Sequence, residues 1–496
     1  MNFRKIIALL LAALCTVGFA ACGGGTSDTP AAADTTASTG DTPSAEVTGT
    51  TLGFDPGLPE DLNYEGAKFT ILDKAVAQYN EWGETSIWIE EDDGDVINSA
   101  IYRRNREVEE KLNIEIAEYQ CKTVTADIQK SVSAGEDAYQ CVMPAFGDCG
   151  TLASSGFFMD LYDMPYMDFT ERWWDQSSIR DLSIADRLYF VASDISMLNN
   201  DATWCTMFSK VIVEDFSLES PYDLVEKNTW TMDNFYTLYS GVSHDLNGDG
   251  ELGSDDFFAN LTQNENYNAM FIGGGDRLIA KDSSDIPIIS IGSTERTVGV
   301  LDKLIKIMRD EDFSYNYHDK ASALGYHLQT TAMFQEGRGL FWVTNLQIVI
   351  RLRDLVADFG IVPVPKYDEN QEEYANVVWT VGSYTAVPVS CTDTEFVGAV
   401  LETMAAKSCE LLKPAYYDVA LTSKFLRDEE SAVMLDLVFS QRVFDLGLAY
   451  NFGGITGIVQ NLVKSSSNDI SQAMAANGTA IQAAIDKVVD SFGQIN

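Results

Sequence analysis

Hydrophobic and polar positions divide the chain into three stretches. Residues 6–21 are an almost unbroken apolar run after the basic Arg4 and Lys5, ending in small residues at Ala20-Ala21 before Cys22. Residues 23–52 are Gly, Ser, Thr, Ala, Asp and Pro with hardly a large apolar side chain, too little to offset the entropy of ordering. From Phe54 onward the pattern becomes that of a folded protein. Lys68-Phe-Thr-Ile-Leu72 predicts a strand, and Ile97, Ile101, Val108 and Leu112 fall at helical spacing. Asn113-Ile-Glu-Ile-Ala117 alternates as a strand does, residues 127–134 are helical, and Cys141-Val-Met-Pro-Ala-Phe146 is a further apolar strand. Strand–helix–strand order predicts an α/β fold with a parallel sheet and helices on its faces. Asp358–Pro365 and Tyr384–Val389 are short extended segments, and the chain beyond Thr394 is mostly helical.

Composition sharpens this picture. Hydrophobic residues make up 46% and aromatics 11%, so the part after the polar stretch is globular and long enough for two lobes. The formal net charge of −42 argues against nucleic acid or an anionic membrane surface as a partner. Apart from Cys15 and Cys22, six cysteines remain at 121, 141, 149, 205, 391 and 409. Their spacing fits no zinc motif and selects no disulfide pairing.

The amino terminus resembles a bacterial lipoprotein signal, with Phe19 standing where that signal usually carries Leu. The apolar run is shorter than the ~20 residues of a spanning helix. The resemblance implies cleavage after residue 21, a lipid on the Cys22 thiol, and a tether over residues 22–52. The protein would then sit on the extracytoplasmic face of a cell membrane.

The rest of the chain resembles the family 1 extracellular solute-binding proteins of carbohydrate ABC importers. The likeness rests on Gly135-Glu-Asp-Ala-Tyr139, Leu161–Tyr166, Trp173-Trp174-Asp175, Arg187–Phe190 with Ser193-Asp194, and Phe208-Ser-Lys210. It continues through Thr229–Asp233, Glu336–Trp342, Gly360–Lys366 and Tyr416–Asp436, all in the family's order. It implies a two-lobe periplasmic-binding-protein-like fold of type II with a multi-strand hinge. Lobe 1 would be residues 53–195 with 361–390, and lobe 2 residues 200–358 with 391–496. Crossings are expected near Ser193–Thr203, Asp358–Pro365 and Pro388–Asp393. The implied function is capture of a carbohydrate, as a monomer, for delivery to permease subunits. A peptide or another polyol also suits such a cleft.

Sugars present flat faces to aromatic rings and hydroxyls to carboxylates or amides. Glu81 and Trp82 follow the first strand, at the edge where open α/β sheets bind ligands, and Phe146 and Asp148 follow a later one. Asp194 and Trp204 flank the first crossing, Trp379 and Tyr384 lie near the third, and Trp342 and Asn345 follow Gly339. These are the candidate ligand residues, with core packing as the alternative for each aromatic. Asp245, Asn247, Asp249, the Glu251 carbonyl and Asp256 have the spacing of a calcium loop, so a structural Ca2+ is expected; a metal-free Asx-rich turn is the alternative. Only three histidines occur (His244, His318 and His327), and no nucleophile or phosphate-loop motif accompanies them. A surface glycoside hydrolase, which needs two carboxylates, and a scaffolding lipoprotein are the competing readings.

Overall fold

The computed structural model describes residues 53–319, 328–352, 358–421 and 429–494. The signal-like segment, Cys22, the tether and His327 lie outside the described residues.

Two sheets organise the fold. The first holds β1 (Ala67–Lys74), β2 (Ile114–Cys121) and β3 (Cys141–Val142), all parallel, in the order β2-β1-β3. The second contains β4 (Trp204–Ser209) and β5 (Phe258–Thr262). A hairpin of β6 (Ile279–Lys281) and β7 (Pro287–Ile289) lies outside both sheets. The second sheet is completed by β8 (Ser314–Asn316), β9 (Gly339–Asn345) and β10 (Phe359–Val362), in the order β10-β4-β9-β5-β8. Its β10-β4-β9 part is antiparallel and its β9-β5-β8 part parallel. A short parallel pair, β11 (Asn376–Val377) with β12 (Arg442–Val443), ties the carboxy-terminal region to the segment that follows β10.

The amino-terminal unit follows from its sequence pattern. Helix Val96–Leu112 starts where the Asp95 side chain accepts from the amides of Ile97 and Asn98. It ends at Asn113 in the left-handed region and buries Ile101, Val108 and Leu112 on the sheet side. The apolar run at 141–146 behaves differently from the expectation. Only Cys141 and Val142 join the ladder, because Pro144 ends the strand and Phe146 opens helix Phe146–Ser154.

The crossings run side by side. Residues 193–203 lead from the first sheet to β4, and residues 378–386 return antiparallel to them. Bridges at Thr203–Val378 and Val191–Thr385 join the two segments. Ala386 then bridges Val142, so the returning chain extends the first sheet beyond β3. Helix Thr394–Lys407 differs from the expected division, which sent residues 391–496 to the second lobe. It packs on helix Val96–Leu112, beside the first sheet. Eleven consecutive residues are buried, from Phe396 to Ala406, and a helix so enclosed needs a partner on nearly every face. At Gly398 the Pro165 carbonyl comes within 1.9 Å of where a Cβ would stand, so only glycine permits that approach.

Candidate functional site

The residues that end β1, β3 and β9 meet at the crossings. After β1 the chain turns through Asn80, at φ 50°, into Glu81 and Trp82, both half-buried. After β9, the Asn345 side chain caps helix Leu346–Arg351 by accepting from the Ile348 amide at 3.4 Å. The next residue but one, Gln347, donates its side-chain amide to the Glu81 carbonyl at 2.8 Å. Arg351 stands 3.5 Å from the Glu81 carboxylate.

A chain of contacts closes the ring. Trp204 is the β4 partner of Asn345 and packs edge-on against Trp379, with centroids 5.7 Å apart. The amide of Gly147, beside half-buried Asp148, donates to the Thr380 carbonyl at 3.2 Å. Lys74, buried at the end of β1, donates to the Val381 carbonyl at 2.6 Å. Burial pulls its ammonium down to about 8 against the attraction of Glu84, Cys149, Asp73 and Asp148. The rim therefore offers two partly open indoles, Trp82 and Trp379, with carboxylates at Glu81 and Asp148 and a cation at Arg351, while Lys74 stays buried. Flat apolar faces beside hydrogen-bonding groups suit a polyhydroxylated ligand.

The other candidates lie elsewhere. Trp342 sits in the middle of β9, with no exposed surface, against Phe334 and with Met207 and Leu261 beside it in the sheet. Phe146 and Tyr384 stack on each other at 4.7 Å within a cluster that includes Phe190 and Phe444. They pack in the interior of the first sheet's layer and present nothing to solvent. Asp194 is buried and pairs with Lys413 at 3.4 Å. Trp204 is 1% exposed, so its neighbour Trp379 supplies the accessible face. Sequence reasoning missed Lys74, Gln347, Arg351 and Thr380. Lys74 carried a signal, being a lysine that directly follows the apolar Ile71-Leu72 and Asp73 at the end of the first strand.

A second framework lies beneath the rim. Arg104 is fully buried and all its N–H groups find acceptors: the Ser86, Ile87 and Ile195 carbonyls, the Asn105 side chain and the Ser408 hydroxyl. Glu84, also buried, accepts from the Ser196 hydroxyl at 2.6 Å and from the Thr85 and Ser86 amides. One crossing is thus held through Ile195 and Ser196, from helix Val96–Leu112 and the turn after β1, and the other through Val381, from the end of β1.

In the 245–256 loop, backbone bonds between His244 and Phe257 close the ends. Gly248 and Gly250 have φ of 78° and 86°, which glycine adopts without strain. Asp245 accepts from the Gly248 and Gly250 amides, and Asp249 from that of Glu251. Asp256 accepts from Leu246, Asn247 and Gly253. The donor chemistry suits a hard cation, but these oxygens face backbone amides. Among the described residues no three His, Cys, Asp or Glu side chains gather into a metal-holding group. The six cysteines at 121, 141, 149, 205, 391 and 409 are all free and buried.

Comparison with known proteins yields a fold. No family model matches the chain, and no curated protein does. Solved structures match over most of their length. The substrate-binding protein Lmo0181 of Listeria monocytogenes, solved with cycloalternan, has a TM-score of 0.52 at 10% identity, over 86% of this chain and 99% of its own. UspC of Mycobacterium tuberculosis gives 0.53 at 12% identity, over 84% and 100%. UgpB of the same organism, solved with glycerophosphocholine, gives 0.52 at 13% identity, over 85% and 98%. The fold is that of ABC substrate-binding proteins, with two α/β lobes. No helix among the described residues is long and apolar enough to cross a membrane.

Proposed function

We propose that the chain is the solute-binding component of an ABC importer and captures a carbohydrate, an oligosaccharide by preference, between its two lobes. The observation that carries this reading is the rim at the crossings, where side chains following strands of both sheets meet around half-buried Trp82 and Trp379. A ligand touching both sides binds the closed state best and shifts the population toward it. Among the fold's relatives, one was solved with a cyclic sugar and another with glycerophosphocholine, so a glycerophosphodiester is the second ligand class to test. Thermal-shift screening against mono- and oligosaccharides and glycerophosphodiesters tests the reading, because a ligand of the native state raises the melting temperature. Turnover of any of these compounds would favour a hydrolase instead.

The Cys22 lipid anchor and the membrane location belong to the same proposal. Their support is the sequence at residues 4–22. Cys22→Ser should release the protein from membranes in the producing cell, and continued membrane association would refute the anchor. A structural Ca2+ in the 245–256 loop rests on spacing alone. A melting temperature unmoved by chelator followed by excess Ca2+ would dispose of it.

A further inference from the structure

Asp73, one residue before the end of β1, is wholly buried. Neither of its carboxylate oxygens has a hydrogen-bond donor, and the same is true of Glu118 Oε1 on β2. In the parallel register Asp73 lies opposite Gln120 and Glu118 opposite Ile71, so the two acids share a face as diagonal neighbours. Their carboxyl groups lie within hydrogen-bonding reach of each other. With no donor for either Asp73 oxygen or for Glu118 Oε1, burial disfavours charge on both adjacent carboxylates, although the Gln120 side chain is a hydrogen-bond partner of Glu118. One proton placed between them turns an acceptor into a donor and gives each group a hydrogen bond to the other.

We propose that Asp73 and Glu118 form an acid–carboxylate pair sharing one proton at neutral pH, and that this proton links the first sheet and the crossings anchored to it to ambient pH. The neighbours do not remove the need for it. Lys74 on β1 gives a hydrogen bond to Val381, and Arg104 on helix Val96–Leu112 has all its N–H groups engaged by other acceptors. Glu84, in the turn after β1, adds negative charge, and Gln120, which gives its amide to the Glu84 carbonyl, also reaches Glu118 but not Asp73. The remaining titratable neighbours are the Cys121 thiol, with Asp127 beside it, and the Cys141 thiol. Burial pushes both thiols up, so they stay neutral. Loss of the proton would put a second negative charge beside Lys74 and Glu84, the groups that hold Val381 and Ser196.

The sign of the effect follows from linkage. Burial raises the proton affinity of both acids, so the native state keeps a proton that the unfolded chain releases near pH 4. The folded-to-unfolded ratio therefore falls about tenfold per pH unit for this proton, until the pair itself ionises.

The test is denaturant unfolding of the full chain between about pH 5 and pH 9, for wild type, Asp73→Asn and Glu118→Gln. Either amide can donate where the proton did. Each variant is expected to gain about tenfold in that ratio over wild type per pH unit, and a profile parallel to wild type overturns the proposal. Infrared spectra of wild type labelled with 13C-aspartate need no variant. At about pH 8.5, well above the ordinary aspartate range, an isotope-shifted protonated-carboxyl band supports the pair and its absence overturns it. A rise in the wild-type melting temperature with Ca2+, Mg2+ or K+ that Asp73→Asn abolishes would assign the site to a cation and overturn it as well.

Discussion

The side-chain amide of Gln347 donates to the backbone carbonyl of Glu81 at 2.8 Å, joining the turn after β1 to the helix after β9. With Arg351 beside the Glu81 carboxylate, this contact clasps the two sheets directly. Gln347 is 7% exposed and its bond is sheltered, whereas Arg351 is open to solvent and adds little. Gln347→Ala should cost the closed state about 1 kcal/mol, roughly a fivefold shift toward open. The expected outcome is a larger radius of gyration by small-angle scattering in the absence of ligand. Equal radii would mean that the clasp does not govern closure.

The tryptophans should separate into two groups. Trp82→Ala and Trp379→Ala remove rim surface and should weaken ligand binding with little loss of stability. Trp342→Ala empties a core position and should cost about 3–5 kcal/mol in denaturant unfolding. An affinity loss in Trp342→Ala with unchanged stability would reverse the assignment.

Arg104→Lys tests the framework beneath the crossings. Lysine has three donors against five and cannot reach the Ser86, Ile87 and Ile195 carbonyls together. Stranding buried carbonyls should cost about 2–4 kcal/mol of unfolding free energy. The segment near Ile195 should also lose protection in hydrogen exchange.

A separate pH effect arises from Glu402, Asp201 and Asp445. Burial pushes their carboxyls up to about 7, about 7 and about 6. This happens although Glu402 accepts from the Trp173 and Trp174 indoles and Asp201 from the Tyr416 hydroxyl. The native state keeps protons that the unfolded chain loses near pH 4, so stability declines as pH rises from there to about 7. The melting temperature should be higher at about pH 5 than at pH 7.5. Asp201→Asn, which preserves an acceptor for Tyr416, should flatten the decline, and an unchanged slope would contradict it.

The first sheet was legible because its strands and helix carry clean periodicities: Ile101, Val108 and Leu112 are buried on one side of a capped helix. The rim at the crossings was legible only in part. Glu81 and Trp82 follow from the rule that ligands gather beyond strand ends. Trp342 misled because Leu340-Phe-Trp-Val343 is apolar at every position, the mark of a strand buried on both faces. Such a strand can reach the cleft only at its end, which is why Asn345 and Gln347 take part. The helix Thr394–Lys407 was misplaced because its composition shows how enclosed it is, but not which layer encloses it.

The bridge between Val142 and Ala386 sets an order of events. The returning segment that extends the first sheet is made long after β3, behind the whole of the second sheet. Pairing at such sequence separation is slow, because the loop must close before contacts reward it. The amino-terminal half therefore spends synthesis without its last strand and without the chain that covers its crossings. Until that segment arrives, β3 is an open edge of the first sheet, its outward backbone groups left to water or to a chance neighbour.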